Sequence, residues 1–449
     1  GDAAAALAAR AQRAITLVAM GRLAEAGALI AALAAQPLDS EARRVTLLAI
    51  VWHAVESGAY DAVAGHFDAL VRCLEGMPVI DAWFSTVPAP RQTACPGMAA
   101  PLARWAAGAQ AVVGERPLPL RSMGILSLGW RALWLGRIDD AAQLLRRAEA
   151  DIEWTGRHVI ARSHSLALRA LVNLAAGAGE AALDTMRTRV AEHTAGYGDW
   201  GLWHTLFFAS RVAAACGDRA ALAAWLQRLL ALQPGLPDAS PERLRPALGL
   251  QGTLAWLEGR RDEAVAQWRA ALEDEAHVDL LGQAVELRLR LADALLAAGA
   301  PAEAAAAARS ALARDAEDGP RGAVFCAAVL PTLAAADWQG ALDAEAIATL
   351  RRWAAALRAP AAGAPAAVRA TVPERSSRQE SAERLSVREL EVLARIARGE
   401  SNKLIARALD LSPHTVKRHV ANILDKLALA SRGEAAAWYH AHAGPPAAS

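Results

Sequence analysis

The stretch "WRALWLGRIDDAAQLL" (130–145) decides how the chain is read. An apolar helix runs into Gly136, and an amphipathic helix with an acidic start and closely spaced alanines runs out of it. Glycine between two helices marks a place where the backbone turns left-handed, a conformation that a Cβ disfavours. The pattern recurs in both directions: "GRLAEAGALI" from Gly21, "GAYDAVAGHF" from Gly58, "GAGEAALDTM" from Gly177, "GDRAALAAWL" from Gly217, "GRRDEAVAQW" from Gly259 and "GAPAEAAAAA" from Gly299. "GMAAPLARW" from Gly97 fills the one double interval, and a weaker ninth start stands at Gly340. The step from glycine to glycine is about 40 residues. Two helices per step, stacked step on step, make an α-solenoid with an extended concave face.

The expected fold is therefore all-α. A solenoid of about 8–9 two-helix repeats occupies residues 1–356, a flexible linker 357–383, and a four-helix domain 384–446. The linker has no apolar period and is rich in Ala, Pro, Ser and charge. Between Pro78 and Pro119 the prolines thicken, so that repeat is expected to be irregular, as a loop insertion or the mouth of a ligand site.

The formal net charge of the 449 residues is +1, but residues 384–442 hold ten Lys/Arg against six Asp/Glu. That +4 leaves −3 for the remainder, an asymmetry expected of an appended nucleic-acid module. Cys73, Cys95, Cys216 and Cys326 are scattered and form no CxxC pair, which suits a reducing compartment rather than a disulfide framework or a zinc site. The longest uncharged apolar run, "GAVFCAAVLPTLAAA" (322–336), is shorter than a bilayer span and contains Pro331. No signal sequence opens the chain. A soluble, cytoplasmic protein without a membrane partner is expected, located on the nucleoid when bound to DNA.

Lys403, Lys417 and Lys426 are the only lysines. All three fall in "SNKLIARALDLSPHTVKRHVANILDKL" (401–427), within the four-helix domain. "SVRE" (386–389) reads as a capping box that opens a first helix, with Ser386 at the cap and Glu389 three residues on. Ser401 caps a second helix, expected to turn Leu404, Ile405, Ala408 and Leu409 inward. Ser412 caps a third, with Pro413 at its first position. "SRGE" (431–434) opens a fourth. On the third helix Val416, Val420, Ile423, Leu424 and Leu427 form a core stripe. His414, Arg418, Ala421, Asn422 and Asp425 fall on the opposite side, with Thr415 and Lys417 flanking them. Such a basic, Ala-relieved face fits the DNA major groove, and Lys403 beside the helix start behind Ser401 is placed for phosphate.

These residues carry a family resemblance. The segment from Leu385 to Leu427, followed by "SRGEAA", resembles the LuxR/NarL-type helix-turn-helix domain over about 60 residues. The matching motifs are Arg388–Glu389, Ser401–Asn402–Lys403, Thr415–Val416–Lys417 with His419, and Asn422–Ile423 with Lys426–Leu427. The resemblance implies double-stranded DNA as partner, with Lys417, Arg418 and Ala421 near base edges and the fourth helix in a homodimer contact. The candidate DNA-binding set is Ser401, Asn402, Lys403, Ser412, His414, Thr415, Lys417, Arg418, His419, Ala421 and Asn422. The repeats resemble the tetratricopeptide pattern with a longer period and are similar to the sensor region of MalT-like LuxR-type regulators. Those regulators carry an ATP-binding portion ahead of the repeats. The chain, which opens on Gly1 inside a helix, is compatible with the C-terminal part of such a protein.

That resemblance implies an effector, a small molecule or a protein, on the solenoid, and RNA polymerase as a partner if the protein activates. Trp130 with Trp134, and Trp200 with Trp203, are helical pairs that read first as core and second as a groove for a ligand. Catalytic chemistry has no motif to stand on, and no cofactor or metal is expected. No lysine precedes Lys403, which excludes a P-loop and lysine Schiff-base chemistry from the repeats. His440 and His442 read as tail residues. The competing reading is an interaction scaffold for which the helix-turn-helix serves only as a DNA tether.

Overall fold

The computed structural model describes residues 2–442 except 76, 115, 117, 156–158, 195–198, 237–243, 275–277, 316–318, 359–386, 399, 410, 428 and 430. The chain divides into two compact units, a helical array and a C-terminal bundle. Among the described residues the only β contact is an isolated bridge between Ala176 and Arg358.

The array repeats a two-helix element. Asp2–Ala19 pairs with Leu23–Ala34, Ser40–Glu56 with Tyr60–Leu74, and Pro119–Trp134 with Ile138–Trp154. Val159–Ala175 pairs with Gly179–Thr194, and Asp199–Ala215 with Arg219–Leu232. Pro246–Leu257 pairs with Arg261–Leu272, and Gln283–Ala297 with Pro301–Asp315. The third repeat is the irregular one, its first helix broken into Ile80–Phe84 and Pro90–Thr93 ahead of Ala99–Val113. The ninth is irregular too: a 3-10 turn Gly322–Cys326 and a short helix Leu330–Ala335 precede Ala344–Ala356.

All nine repeat glycines, Gly97 and Gly340 included, have φ between 69° and 84°. At seven of them the following residue donates its N–H to the carbonyl five positions back, as Arg137 does to Ala132 at 2.8 Å. This is the Schellman closure, which satisfies carbonyls that a helix end leaves open. A Cβ at Gly217 would meet nothing within 4 Å, whereas at Gly136 it would stand 3.0 Å from Pro320 Cγ. Gly217→Ala should therefore cost only the left-handed strain, about 1 kcal/mol, and Gly136→Ala measurably more. Urea titration of the two variants against the parent checks the order.

The extended concave face expected from the repeat is not what forms. The array curls until distant repeats touch. Arg314 donates to Asp61 at 3.0 Å, His204 stands 3.4 Å from Glu56, and Arg321 donates to the Ala94 carbonyl. The apolar run 322–336 explains the closure. Gly322, Ala323, Val324, Phe325 and Cys326 are all buried, packed against Asp199–Ala215, Gln283–Ala297 and Val159–Ala175. A Cβ on Gly322 would lie 2.2 Å from the Gly282 carbonyl oxygen, so only glycine permits this approach. The first six residues of this run, 322–327, thus become an internal plug.

The plug is held by buried charge. Arg211 places its guanidinium 3.6 Å from the centre of the Phe325 ring and donates through Nε to Glu286 at 2.7 Å. Its Nη1 donates to the Leu280 and Leu281 carbonyls at 3.0 and 2.8 Å. Arg290 donates to the other oxygen of Glu286 at 2.9 Å and to the Phe325 carbonyl at 2.9 Å. Packing continues slightly past Ala356. Leu357 is buried, and Arg358 donates its N–H to the Ala175 carbonyl at 2.8 Å. The linker beyond it falls outside the described residues.

In the C-terminal unit Val387–Ala397, Asn402–Ala408, Pro413–Lys426 and Arg432–His442 pack around Val392, Leu393, Ile396, Ile405, Val416 and Ile423. The second helix differs from expectation by a small rotation. Ile405 and Ala406 are buried, whereas Leu404 is 52% exposed and Ala408 is exposed. The helix is only seven residues long and packs mainly on Pro413–Lys426, so its apolar stripe is narrower than its sequence suggests. Among the described residues no helix is long and apolar enough to cross a membrane.

Candidate functional site

The caps set the geometry of the bundle. Ser401 accepts from the Leu404 N–H at 3.4 Å, Ser412 from Thr415 N–H at 3.0 Å, and Ser431 from Glu434 N–H at 3.1 Å. Ser386, the expected first cap, lies outside the described residues. The capping box of Glu389 with Ser386 lies outside the described residues for that reason, while the buried Glu389 carboxylate accepts from Lys426 Nζ at 2.7 Å. Lys426 therefore ties the third helix to the first. The other two lysines, Lys403 and Lys417, are exposed.

Pro413–Lys426 buries Val416, Ile423 and Leu427, with Val420 and Leu424 packed partly against them. Lys417, Arg418, Ala421, Asn422 and Asp425 are exposed. Thr415 is half-buried, and its hydroxyl shares a 2.8 Å hydrogen bond with Ser412. His419 is half-buried and its Nδ1 is enclosed. The side chain of His414 lies outside what the structure describes, as do those of His440 and His442. Asn402 is only partly available to a ligand, because its side-chain oxygen accepts from Arg432 Nη1 at 2.8 Å. The surface that remains is Lys417, Arg418, Ala421 and Asn422 on one helix, with Lys403 at the start of the helix before it.

Of the two tryptophan pairs, three rings take the core position that is their first reading. Trp130, Trp134 and Trp203 are buried. Trp130 stacks on Trp134 at 5.5 Å, and Trp134 donates to Thr93 at 3.1 Å. Trp203 lies parallel to Phe207, and the half-exposed Trp200 meets Trp203 edge-on at 5.6 Å. These contacts are to their own helices and, for Trp134, to the neighbouring third repeat. One cavity of the array is largely apolar, and none of the four lines it.

That cavity, of about 410 Å³, opens where the irregular third repeat meets the fifth, the sixth and the loop ahead of the eighth. Phe84 and Arg91 come from the region where the prolines thicken. Sequence reading named none of the other polar wall residues, Ser163, His164, Arg189, His193, His204 and Thr205. Their signal was available: "SHS" (163–165) and "HT" (204–205) interrupt otherwise apolar helices. Burial, reinforced by the charge of Arg189, pushes His164 down to about 3 and His193 to about 4. Both are neutral in the folded array at pH 7. In the unfolded chain they take up protons near pH 6.5, so stability is full above that pH and declines as pH falls toward 4. His164→Gln is expected to reduce the slope of unfolding free energy between pH 5 and 6 by about 1.4 kcal/mol per pH unit, one proton's worth. Urea titrations across that range measure it.

Comparison with known proteins bears on the C-terminal unit. Residues 383–439 match the family described as bacterial regulatory proteins, luxR family. The chain is 46% identical over 66 residues to the nitrate/nitrite response regulator protein NarL of Escherichia coli K12, which is 15% of this chain and 31% of NarL. It is 56% identical over 52 residues to the uncharacterized transcriptional regulatory protein YhcZ of Bacillus subtilis, 12% of this chain and 24% of YhcZ. The chain thus spans a third or less of the curated relatives it matches. Two solved structures are similar along most of the chain. A Rap protein complexed with competence and sporulation factor has a TM-score of 0.46 at 15% identity, covering 94% of this chain and 98% of its own. The apo quorum sensor NprR from B. thuringiensis has 0.34 at 9%, covering 93% and 98%. The C-terminal unit is a LuxR-type helix-turn-helix domain homologous to those of NarL-type response regulators.

Proposed function

We propose that this chain is a sequence-specific transcriptional regulator that reads the DNA major groove as a dimer and takes an effector on its helical array. The observation that carries the reading is the exposed face of Pro413–Lys426. Lys417 and Arg418 supply donors for guanine edges, Ala421 leaves room for a thymine methyl, and Asn422 offers amide chemistry. Lys403, with the helix start behind Ser401, anchors a phosphate. The fourth helix, Arg432–His442, is the proposed dimer contact, which requires two-fold symmetric half-sites.

The curled array supports the second half of the proposal. A largely apolar cavity with a few convergent polar groups is the usual form of a small-molecule site. The scaffold alternative would use the array's outer surface and the DNA only as a tether. Salt titration separates the two. With random DNA, binding should fall with a slope of about −0.9 per phosphate neutralised. A regulator shows an added, sequence-dependent affinity on its preferred fragment, and two chains bound per site. Equal affinity for all fragments supports the tether. Lys403→Ala is expected to weaken binding uniformly and flatten the salt slope by about 0.9 per chain.

A further inference from the structure

We propose that the array's apolar cavity is the site of a small organic acid with one carboxylate or sulfonate on a flat, apolar body. This deepens the effector reading above and rests on it. The body is set by the walls: Trp52, Phe84, Phe207 and Phe208 contribute aromatic rings, and Ile160 and Leu281 aliphatic ones. The charge is set by the polar side chains. Among the described residues, two arginines and three histidines line the cavity, and no carboxylate does. Glu56, outside the lining, pairs with Arg91 at 2.6 Å and stands 3.4 Å from His204.

The second arginine is built into a polar strip. Arg189 Nη1 donates to the Thr205 hydroxyl at 3.4 Å, and Thr205 bonds His193 Nδ1 at 2.6 Å. On the other side of that imidazole, Ser163 lies 2.8 Å from Nε2. The guanidinium carbon of Arg189 lies 5.6 Å from the centre of the Phe208 ring, and that of Arg91 5.3 Å from that of Trp52, so both charges sit among the aromatic walls. A guanidinium carries several N–H donors in a fixed fork, the geometry that suits a carboxylate or sulfonate. The His164 and His193 imidazoles stay neutral and act as hydrogen-bonding groups, so arginine supplies positive charge to the wall.

One wall also carries strain. Leu281 has φ of 56°, a left-handed conformation for a branched residue, and Arg211 fixes it by binding the carbonyls of Leu280 and Leu281. An imposed outlier at a cavity wall is what a ligand site retains, because strain of this kind persists only where its surroundings over-determine it. Glycine would relax the loop but would remove an apolar wall.

The test uses the full chain without DNA, so that failure at an operator and failure in the cavity are read separately. The fluorescent probe 1-anilinonaphthalene-8-sulfonate is titrated first, then displaced by 2-naphthoate and by its uncharged counterpart, 2-naphthamide. One saturable site is expected, with the carboxylate at least roughly tenfold tighter than the amide. Arg189→Gln should erase that preference. Val87→Trp, on the half-buried segment between the short helices of the third repeat, fills the cavity and should abolish saturable binding with helicity unchanged. Equal displacement by acid and amide overturns the anion assignment, and unchanged binding in Val87→Trp overturns the cavity as the site. Should Arg189→Gln not fold, the acid–amide comparison and Val87→Trp decide the matter.

Discussion

Glu286→Leu is expected to destabilise the array by about 3–5 kcal/mol, the cost of stranding buried charge. The carboxylate is buried with Arg211 on one oxygen and Arg290 on the other. Removing it leaves two guanidinium groups enclosed without their counter-charge, beside an apolar plug that cannot solvate them. Repairing the pair is not equivalent to restoring the native state. A triple variant with Arg211→Met and Arg290→Met removes the stranded charges and should recover part of the loss. It should not recover all, because the carbonyls of Leu280, Leu281 and Phe325 then lose their donors. By contrast, Glu25→Ala breaks an exposed pair with Arg22 and should cost under about 1 kcal/mol. Urea denaturation of these variants gives the comparison directly.

The second large effect is on DNA. Lys417→Ala combined with Arg418→Ala should lower affinity for a preferred site by roughly 100-fold or more, at about 1–3 kcal/mol for each base contact. Both side chains are exposed and outside the core of Val416, Ile423 and Leu427, so helicity and melting should not change. Lys426→Ala provides the contrast. It removes a cationic partner of the buried Glu389 carboxylate, so its effect should appear as lost stability of the bundle rather than lost sequence preference. Mobility shift and thermal melting on the same preparations separate the two kinds of loss.

The turns were the most legible part of the chain because they depend on local chemistry. Each repeat glycine announces a left-handed residue between two amphipathic runs, and every one of the nine adopts it. Ser401, Ser412 and Ser431 were readable as caps for the same reason. Closure of the array was not readable. It depends on contacts such as Arg314 with Asp61 and Arg321 with Ala94, which are 253 and 227 residues apart. Once closure is missed, so is the cavity, whereas Trp130, Trp134 and Trp203 are buried, in line with their first reading. Glu389 adds a non-local contact of the same kind: Lys426, 37 residues further on, comes within 2.7 Å of its carboxylate.

Selection of genomic fragments by the full chain, read by sequencing at two salt concentrations, tests the central claim most directly. The expected result is enrichment of one two-fold symmetric sequence that survives the higher salt and disappears with Lys417→Ala and Arg418→Ala. Retention of fragments without a shared sequence, lost equally from all of them as salt rises and unaffected by the double substitution, would contradict it.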